Sequence, residues 1–321
     1  MKRRDFLVGT AGVVGAARLG FAQAPAPAPA QGQQGAPGRA GGRGMMPAQV
    51  PAQKLSRISL MTLDFDQYFP APGQEAQPGQ TMTLLDLPKM YVDVYGIRNI
   101  EYQYRTLIQA EKDPAFIKEL KARLDQNQVQ MTQINLEFGD ENISTPDAAL
   151  RNRAVAHTQQ WIDIAVQFGC PRVMINQQQN NITPATRAHT VAAWKAMVDY
   201  GKTKSIKVSA ETRGAGTPEQ VQQLGMKTWQ YMVGIIKDAG AASNVDIGNV
   251  AAMTQQELHD CIKAWFPYSS GNMHIKSSPN WDVGQAVKFT ESLGYKGLYS
   301  IEVRSHEAVR IVYNTILANL A

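Results

Sequence analysis

Short β-rich runs alternate with segments of helical periodicity from residue 57 to the end of the chain. Eight runs rich in apolar or β-branched residues predict strands at 57–65, 99–102, 129–136, 172–176, 206–211, 244–247, 273–276 and 297–302. The segments between and after them predict helices at 87–95, 114–126, 147–168, 184–201, 218–239, 254–265, 282–293 and 306–320. Short, largely apolar strands are typical of a parallel sheet covered on both faces. Eightfold strand–helix alternation predicts an α/β fold of the (β/α)8 TIM barrel type over residues 55–321.

Two segments of different composition precede this domain. Residues 1–24 carry the pair Arg3-Arg4, an apolar run over 7–21 and then Ala22-Gln23-Ala24, which predicts a twin-arginine signal peptide with an A-x-A cleavage site. The apolar run is too short and too rich in Gly and Ala to predict a membrane span. Residues 25–54 are mainly Pro, Ala, Gly and Gln without apolar periodicity, and predict a disordered linker. We therefore expect the twin-arginine export machinery as a partner, a periplasmic or secreted location, and no stable membrane insertion of the mature chain.

The positive charge of the chain lies almost entirely in these first two segments. The net charge is +5, but residues 1–54 alone hold seven Lys or Arg against one Asp. The barrel is therefore close to neutral, and the sequence does not predict nucleic-acid binding. The two cysteines, Cys170 and Cys261, are expected to pack separately as thiols. The oligomeric state stays open, with a homo-oligomer among the alternatives.

Four residues with metal-ligating side chains lie at or near the ends of the last four predicted strands. They are Glu211, Asp246, His274 and Glu302, and they follow one another at roughly the spacing of one strand–helix unit of a barrel of about 250 residues. Active sites of TIM barrels lie at the carboxyl ends of the strands, so the four side chains are candidates for one site. Three carboxylates and one imidazole suit Mn²⁺, Mg²⁺ or Co²⁺, with Zn²⁺ as an alternative. Spacing alone also allows four independent strand-end side chains that only face water.

Other polar positions could line the same face. The loop at 66–82 after the first strand is long and aperiodic, and is either a lid or a surface excursion. The amides at 176–181 follow the fourth strand and could bind sugar hydroxyls. Glu101 and Glu137 end the second and third strands, as pocket residues or as ordinary rim carboxylates. Lys276 lies two residues after His274, on the same side of its strand, and either polarises a substrate oxygen or neutralises the carboxylates.

The motifs around these residues resemble those of the sugar phosphate isomerase/epimerase family, the xylose isomerase-like TIM barrels that include ketose 3-epimerases and hydroxypyruvate isomerases. The resemblance covers essentially all of residues 55–321, and no single motif is specific. It is carried by Ala-Glu-Thr-Arg-Gly at 210–214, Asp-Ile-Gly-Asn at 246–249, His-Ile-Lys at 274–276, Ile-Glu at 301–302, Leu-Pro-Lys at 87–89 and Tyr-Gly-Ile-Arg-Asn-Ile-Glu at 95–101.

The resemblance implies roles for individual residues. It makes Glu211, Asp246, His274 and Glu302 the ligands of a divalent ion, with Mn²⁺ favoured, and makes Glu211 and Glu302 the catalytic acid/base pair. Residues expected to bind substrate are Lys276, Arg213, Glu101 and Asn249. Two departures from the family motifs limit how far these roles apply to this chain. Thr212-Arg213 stand where relatives often have Asn-His. Asn249 replaces a common histidine, and an asparagine side chain cannot act as an acid or a base.

Several functions are compatible with these observations. The favoured hypothesis is an exported isomerase or epimerase that abstracts a proton next to the carbonyl of a sugar or keto-sugar. A lyase that expels a leaving group from a keto-glycoside shares the first step. A non-catalytic carbohydrate-binding barrel is the third alternative. A trinuclear zinc nuclease of the endonuclease IV type is disfavoured, because such a site needs many histidines and only His274 ends a predicted strand.

Overall fold

The strands pair in parallel and in chain order, and the barrel closes because the first strand also pairs with the last. The computed structural model describes residues 50–139, 141–175, 182–250, 253–276 and 282–320. The strands are β1 (Ile58–Met61), β2 (Asn99–Gln103), β3 (Gln130–Leu136), β4 (Arg172–Ile175), β5 (Lys207–Glu211), β6 (Ala242–Asp246), β7 (Ser269–Ile275) and β8 (Leu298–Ile301). The TIM barrel predicted from the alternation is confirmed.

Helices connect the strands and cover the outside of the barrel. They are α1 (Ala52–Leu55), α2 (Leu87–Tyr95), α3 (Tyr104–Leu107), α4 (Pro114–Gln126), α5 (Ala148–Phe168), α6 (Arg187–Thr203), α7 (Pro218–Leu224), α8 (Thr228–Ala239), α9 (Gln255–Trp265), α10 (Val283–Ser292) and α11 (His306–Asn319). Helical 3-10 turns occupy Thr62–Tyr68, Leu84–Asp86, Ile108–Glu111 and Phe266–Tyr268. The largest buried side chains on the helices are Trp161, Trp194 and Trp265. They lie in the apolar layer between helices and sheet.

One predicted helix is wrong in its length. The apolar periodicity over 218–239 predicts a single helix, whereas the chain forms α7 and α8. The first ends at Gly225, whose φ of 69° is left-handed and therefore suited to glycine. The second begins after Lys227. Leu224 is the one buried residue of α7, whereas α8 buries seven residues, so α8 supplies most of the packing of this segment.

Of the two N-terminal segments, the structure describes only residues 50–54. The predicted signal peptide and nearly all of the predicted linker lie outside the described residues, as does the amide run at 176–181. The first described element, α1, overlaps the last residues of the predicted linker, and Lys54 Nζ donates to Leu320 O at 2.7 Å. Among the described residues, no helix combines the length and apolar character that a membrane span requires. Cys170 and Cys261 are buried with free thiols.

The start of the long loop after β1 is fixed to the opposite end of the chain. Asp64 is fully buried, and its carboxylate accepts from the N–H groups of Val303 at 2.6 Å and Met61 at 3.2 Å. The ring centroid of Tyr68 lies 4.8 Å from that of His306, the first residue of α11. Residues 71–81 are mostly exposed. The first part of the loop is thus a packed 3-10 turn, and the second part is a surface excursion.

Candidate metal centre

The carboxyl ends of β5 to β8 bring the four candidate ligand side chains to one place. Glu211 and Asp246 are the last residues of β5 and β6, His274 is the penultimate residue of β7, and Glu302 directly follows β8. The ligand atoms of these four side chains all lie within 4.8 Å of one another. Glu211, Asp246 and His274 are buried, whereas the side chain of Glu302 is 18% exposed. The site therefore opens to solvent on the Glu302 side.

The turn after β6 holds Asp246 in a defined orientation. The N–H groups of Gly248 and Asn249 donate to its Oδ1 at 2.7 and 3.2 Å. The hydroxyl of Thr212 accepts from the Asp246 N–H at 2.7 Å and donates to its carbonyl oxygen at 3.0 Å. With Oδ1 occupied by the backbone, Oδ2 is the oxygen left to face the centre of the site.

Lys276 places its ammonium group between two of the ligands. Its Nζ lies 2.8 Å from Asp246 Oδ2 and 2.8 Å from Glu302 Oε2. Burial alone would lower the pKa of Lys276, but the two carboxylates outweigh burial and raise it. The lysine therefore stays charged and balances part of the negative charge, one of the two roles expected for it from the sequence.

Both nitrogens of the His274 ring face carboxylates. Nδ1 lies 2.9 Å from Glu211 Oε1 and 3.4 Å from Glu302 Oε2, whereas Nε2 lies 2.6 Å from Glu101 Oε1. Burial would lower the pKa of His274, but the charge and hydrogen bond of Glu101, then the bonds of Glu211 and Glu302, raise it well above its ordinary value. Nδ1 is thus the ring nitrogen that faces the candidate ligands Glu211 and Glu302.

Mutual repulsion and pairing separate the pKa values of the carboxylates. Burial, followed by the charges of Glu211 and Glu302, raises the pKa of Asp246. Burial also acts to raise the pKa of Glu302, but hydrogen bonds and charge from His274 and Lys276 outweigh it and lower the pKa. A cluster of this kind stabilises an added positive charge at its centre. Three carboxylates and one imidazole nitrogen on converging atoms fit a divalent cation.

The residues expected to bind substrate have different surroundings. Arg213 is 35% exposed, and its NH2 lies 3.2 Å from Glu211 Oε2. The side-chain amide of Asn249 donates to Thr212 O at 3.3 Å, so this amide supports the turn after β6. Glu101 is the central residue of β2 and is fully buried beneath His274. That position corrects the expectation that Glu101 lines the pocket, because the strand continues for two more residues before the rim.

A layer of amide side chains beneath the ligands was not predicted. Gln133 Nε2 lies 3.3 Å from Asn244 Oδ1, and Asn272 Nδ2 lies 2.8 Å from Glu101 Oε2. Each contact joins strands that are not neighbours in the sheet, so both cross the barrel interior. A signal was present in the sequence: Asn244 and Asn272 each lie two positions before a ligand, and residues at i and i+2 of a strand share a face.

Comparisons with known proteins agree with this architecture. A family model described as xylose isomerase-like TIM barrel matches residues 92–312. No curated protein is significantly similar in sequence. The chain is similar in structure to a xylose isomerase-like TIM barrel protein from Mycobacterium smegmatis in complex with magnesium, with a TM-score of 0.59, 18% identity, and coverage of 84% of this chain and 99% of that one.

Two further similar structures are named as epimerases. D-psicose 3-epimerase with D-tagatose from Clostridium cellulolyticum H10 has a TM-score of 0.61 at 12% identity, and covers 82% of this chain and 96% of its own. The 3-keto-D-glucoside 4-epimerase from E. coli also has a TM-score of 0.61 at 12% identity, with 83% and 100% covered. At these identities the likeness establishes the fold.

Proposed function

Because this chain belongs to the xylose isomerase-like TIM barrel family, we propose that it is a divalent-metal-dependent isomerase or epimerase of a sugar or keto-sugar. The observation that carries the proposal is the convergence of Glu211, Asp246, His274 and Glu302 within 4.8 Å at the carboxyl ends of β5 to β8. The names of two similar structures, both sugar epimerases, support the same reaction class.

Two of these residues are suited to proton transfer. Glu211 and Glu302 come from strands that are not neighbours, so they approach the site from different sides. His274 and Lys276 lower the pKa of Glu302 despite its burial, which favours its ionised form. We assign Glu302 as the base that removes a proton from the carbon next to the substrate carbonyl, giving an enediolate. Glu211 on the other face would return a proton to that carbon and so invert it.

The remaining residues hold the cation and the substrate. Asp246 Oδ2 and His274 Nδ1 would complete the ligand set, and we favour Mn²⁺, with Mg²⁺, Co²⁺ or Zn²⁺ as alternatives. When bound, the ion supplies Lewis-acid polarisation of the carbonyl oxygen. Lys276 neutralises the excess of carboxylates, and Arg213 at the rim can donate to substrate hydroxyls.

The proposal also includes the cellular location of the protein. The Arg3-Arg4 pair, the apolar run and the Ala22-Gln23-Ala24 site support export through the twin-arginine machinery to the periplasm or beyond. A free or glycosidically linked sugar is a more suitable substrate there than a phosphorylated one. A keto-glycoside would allow a second outcome, elimination of the aglycone after the first proton transfer.

Two measurements test the proposal. Elemental analysis after dialysis with Mn²⁺ should find about one ion per chain in the wild type and in His189→Ala, an exposed residue of α6, but none in His274→Ala. A panel of keto-sugars incubated in deuterium oxide should then show solvent exchange at the carbon next to the carbonyl. A new sugar indicates epimerisation or isomerisation, and a released aglycone indicates elimination. Sugar binding without any exchange, unchanged in Glu302→Gln, would leave a carbohydrate-binding barrel instead.

A further inference from the structure

The fully buried carboxylate beneath the candidate metal centre has no part in the proton transfers proposed above. Glu101 lies at the middle of β2, and its Oε1 is 2.6 Å from His274 Nε2, the ring nitrogen that does not face Glu211 and Glu302. Both side chains are almost completely inaccessible, with exposures of 0% and 1%. Because solvent and substrate do not reach Glu101, its effect on the site has to pass through His274.

Glu101 is held in place by amides from two other strands. Its Oε1 also accepts from Asn135 Nδ2 at 2.5 Å and Gln133 Nε2 at 3.1 Å, and its Oε2 accepts from Asn272 Nδ2 at 2.8 Å. TIM-barrel interiors are mostly filled by branched apolar side chains, so a carboxylate surrounded by amide donors is a specific departure. The donors stabilise the ionised carboxylate away from water and fix the direction of its oxygens.

We propose that Glu101 is a positioning residue that accepts the Nε2–H of His274 and thereby presents Nδ1 to the metal centre. An N–H held on Nε2 leaves the lone pair of the neutral imidazole on Nδ1, the nitrogen that faces Glu211 and Glu302. The hydrogen bond also fixes the ring plane and makes Nδ1 a stronger donor to a cation. The inference rests on the proposed metal centre, but not on any particular sugar reaction.

The main test compares two buried carboxylates with the same substitution. Glu101→Gln keeps the shape of the side chain but removes its charge. Glu291→Gln is the matched control, because Glu291 is also largely buried, with its side chain 9% exposed, and binds Arg57 and Tyr299 instead of the metal centre. Mn²⁺ binding is measured by titration calorimetry at one pH. We expect affinity to fall about 10–100-fold in Glu101→Gln, as for other outer carboxylates of metal-bound histidines, and to stay within about twofold in Glu291→Gln.

A spectroscopic readout separates positioning from general stability. In Co²⁺-loaded wild-type protein, His274 should give a paramagnetically shifted, slowly exchanging imidazole N–H proton resonance. We expect this resonance to be shifted or broadened by exchange in Glu101→Gln and unchanged in Glu291→Gln. The wild-type spectrum also decides the case in which Glu101→Gln does not fold, because absence of a protected N–H would refute the assignment of the donated proton.

The outcomes distinguish this inference from the proposed function. A wild type that binds neither Mn²⁺ nor Co²⁺ refutes both. Wild-type binding with unchanged affinity in Glu101→Gln refutes the positioning role and leaves the metal centre standing. An equal loss of affinity in both variants also refutes it, because the loss would then follow from destabilisation of the barrel.

Discussion

Gly248 occupies a position where a single methyl group would collide with Lys276. A Cβ built on Gly248 would lie 2.6 Å from Lys276 Cδ and closer still to its Cγ and Cε. Carbon atoms in contact are separated by about 3.5–4.0 Å, so the lysine stem has to move in Gly248→Ala. Movement of the stem withdraws Nζ from Asp246 Oδ2 and Glu302 Oε2, both now at 2.8 Å.

The loss of stability in Gly248→Ala has two sources: overpacking around the new methyl group and separation of Lys276 from its carboxylate partners. Overpacking alone typically destabilises by about 1–3 kcal/mol. Removing one partner of a buried ion pair costs about 3–5 kcal/mol, and a smaller share applies here because the Lys276 side chain retains 24% exposure. We therefore expect Gly248→Ala to lower the free energy of unfolding by about 2–4 kcal/mol.

Urea denaturation of four variants measures this effect. Gly234→Ala is the control, because Gly234 lies within α8 and an added Cβ there would have Arg187 NH2, at 3.4 Å, as its nearest neighbour. Alanine at this position should stabilise the protein by up to about 1 kcal/mol. Gly248→Ala is then repeated in a Lys276→Ala background, where the obstructing stem is absent. The reasoning is refuted if Gly248→Ala is as destabilising in that background as in the wild type.

Three further predictions concern other contacts. Thr212→Val removes the acceptor of the Asp246 N–H, so urea denaturation should show a free energy of unfolding lower by about 1–2 kcal/mol. Calorimetry should also show weaker Mn²⁺ binding. If neither quantity changes, the role given to this hydroxyl is contradicted. His157 bridges Glu111 Oε1 at 2.7 Å and Glu141 Oε1 at 3.1 Å, so His157→Ala should lower the free energy of unfolding by about 1–3 kcal/mol without changing metal content. Chelation of divalent ions should lower the melting temperature of the wild type, since an ion at 100 times its Kd stabilises by about 2.7 kcal/mol; a melting curve unaffected by chelator and by added Mn²⁺ would count against the centre.

The order of elements could be predicted because the patterns that encode it are local. Apolar periodicity and short β-rich runs located every strand within a few residues, and helix starts at Thr217 and Thr254 are confirmed by capping boxes. The break between α7 and α8 was missed because the apolar periodicity continues across it. Only the left-handed φ at Gly225 shows that the helix ends there.

The sequence predicted that the four candidate ligands lie together, but it did not predict the depth of Glu101. The ligands end successive parallel strands, and the carboxyl ends of such strands meet at one edge of the barrel, so their order along the chain predicts their proximity. Glu101 was misplaced because its depth depends on where β2 ends, at Gln103. A run of five residues does not show which of them reach the rim.

The sequence by itself determined the fold class, the strand end at which each candidate ligand lies and the side-chain types that meet there. These properties depend on residue type and on spacings within one strand–helix unit. Only the tertiary structure decided that Glu101 meets His274, 173 positions further along the chain, and that Lys276 passes over Gly248. Barrel closure and strand register bring such pairs together, and both arise from the simultaneous pairing of eight strands, which no local pattern contains.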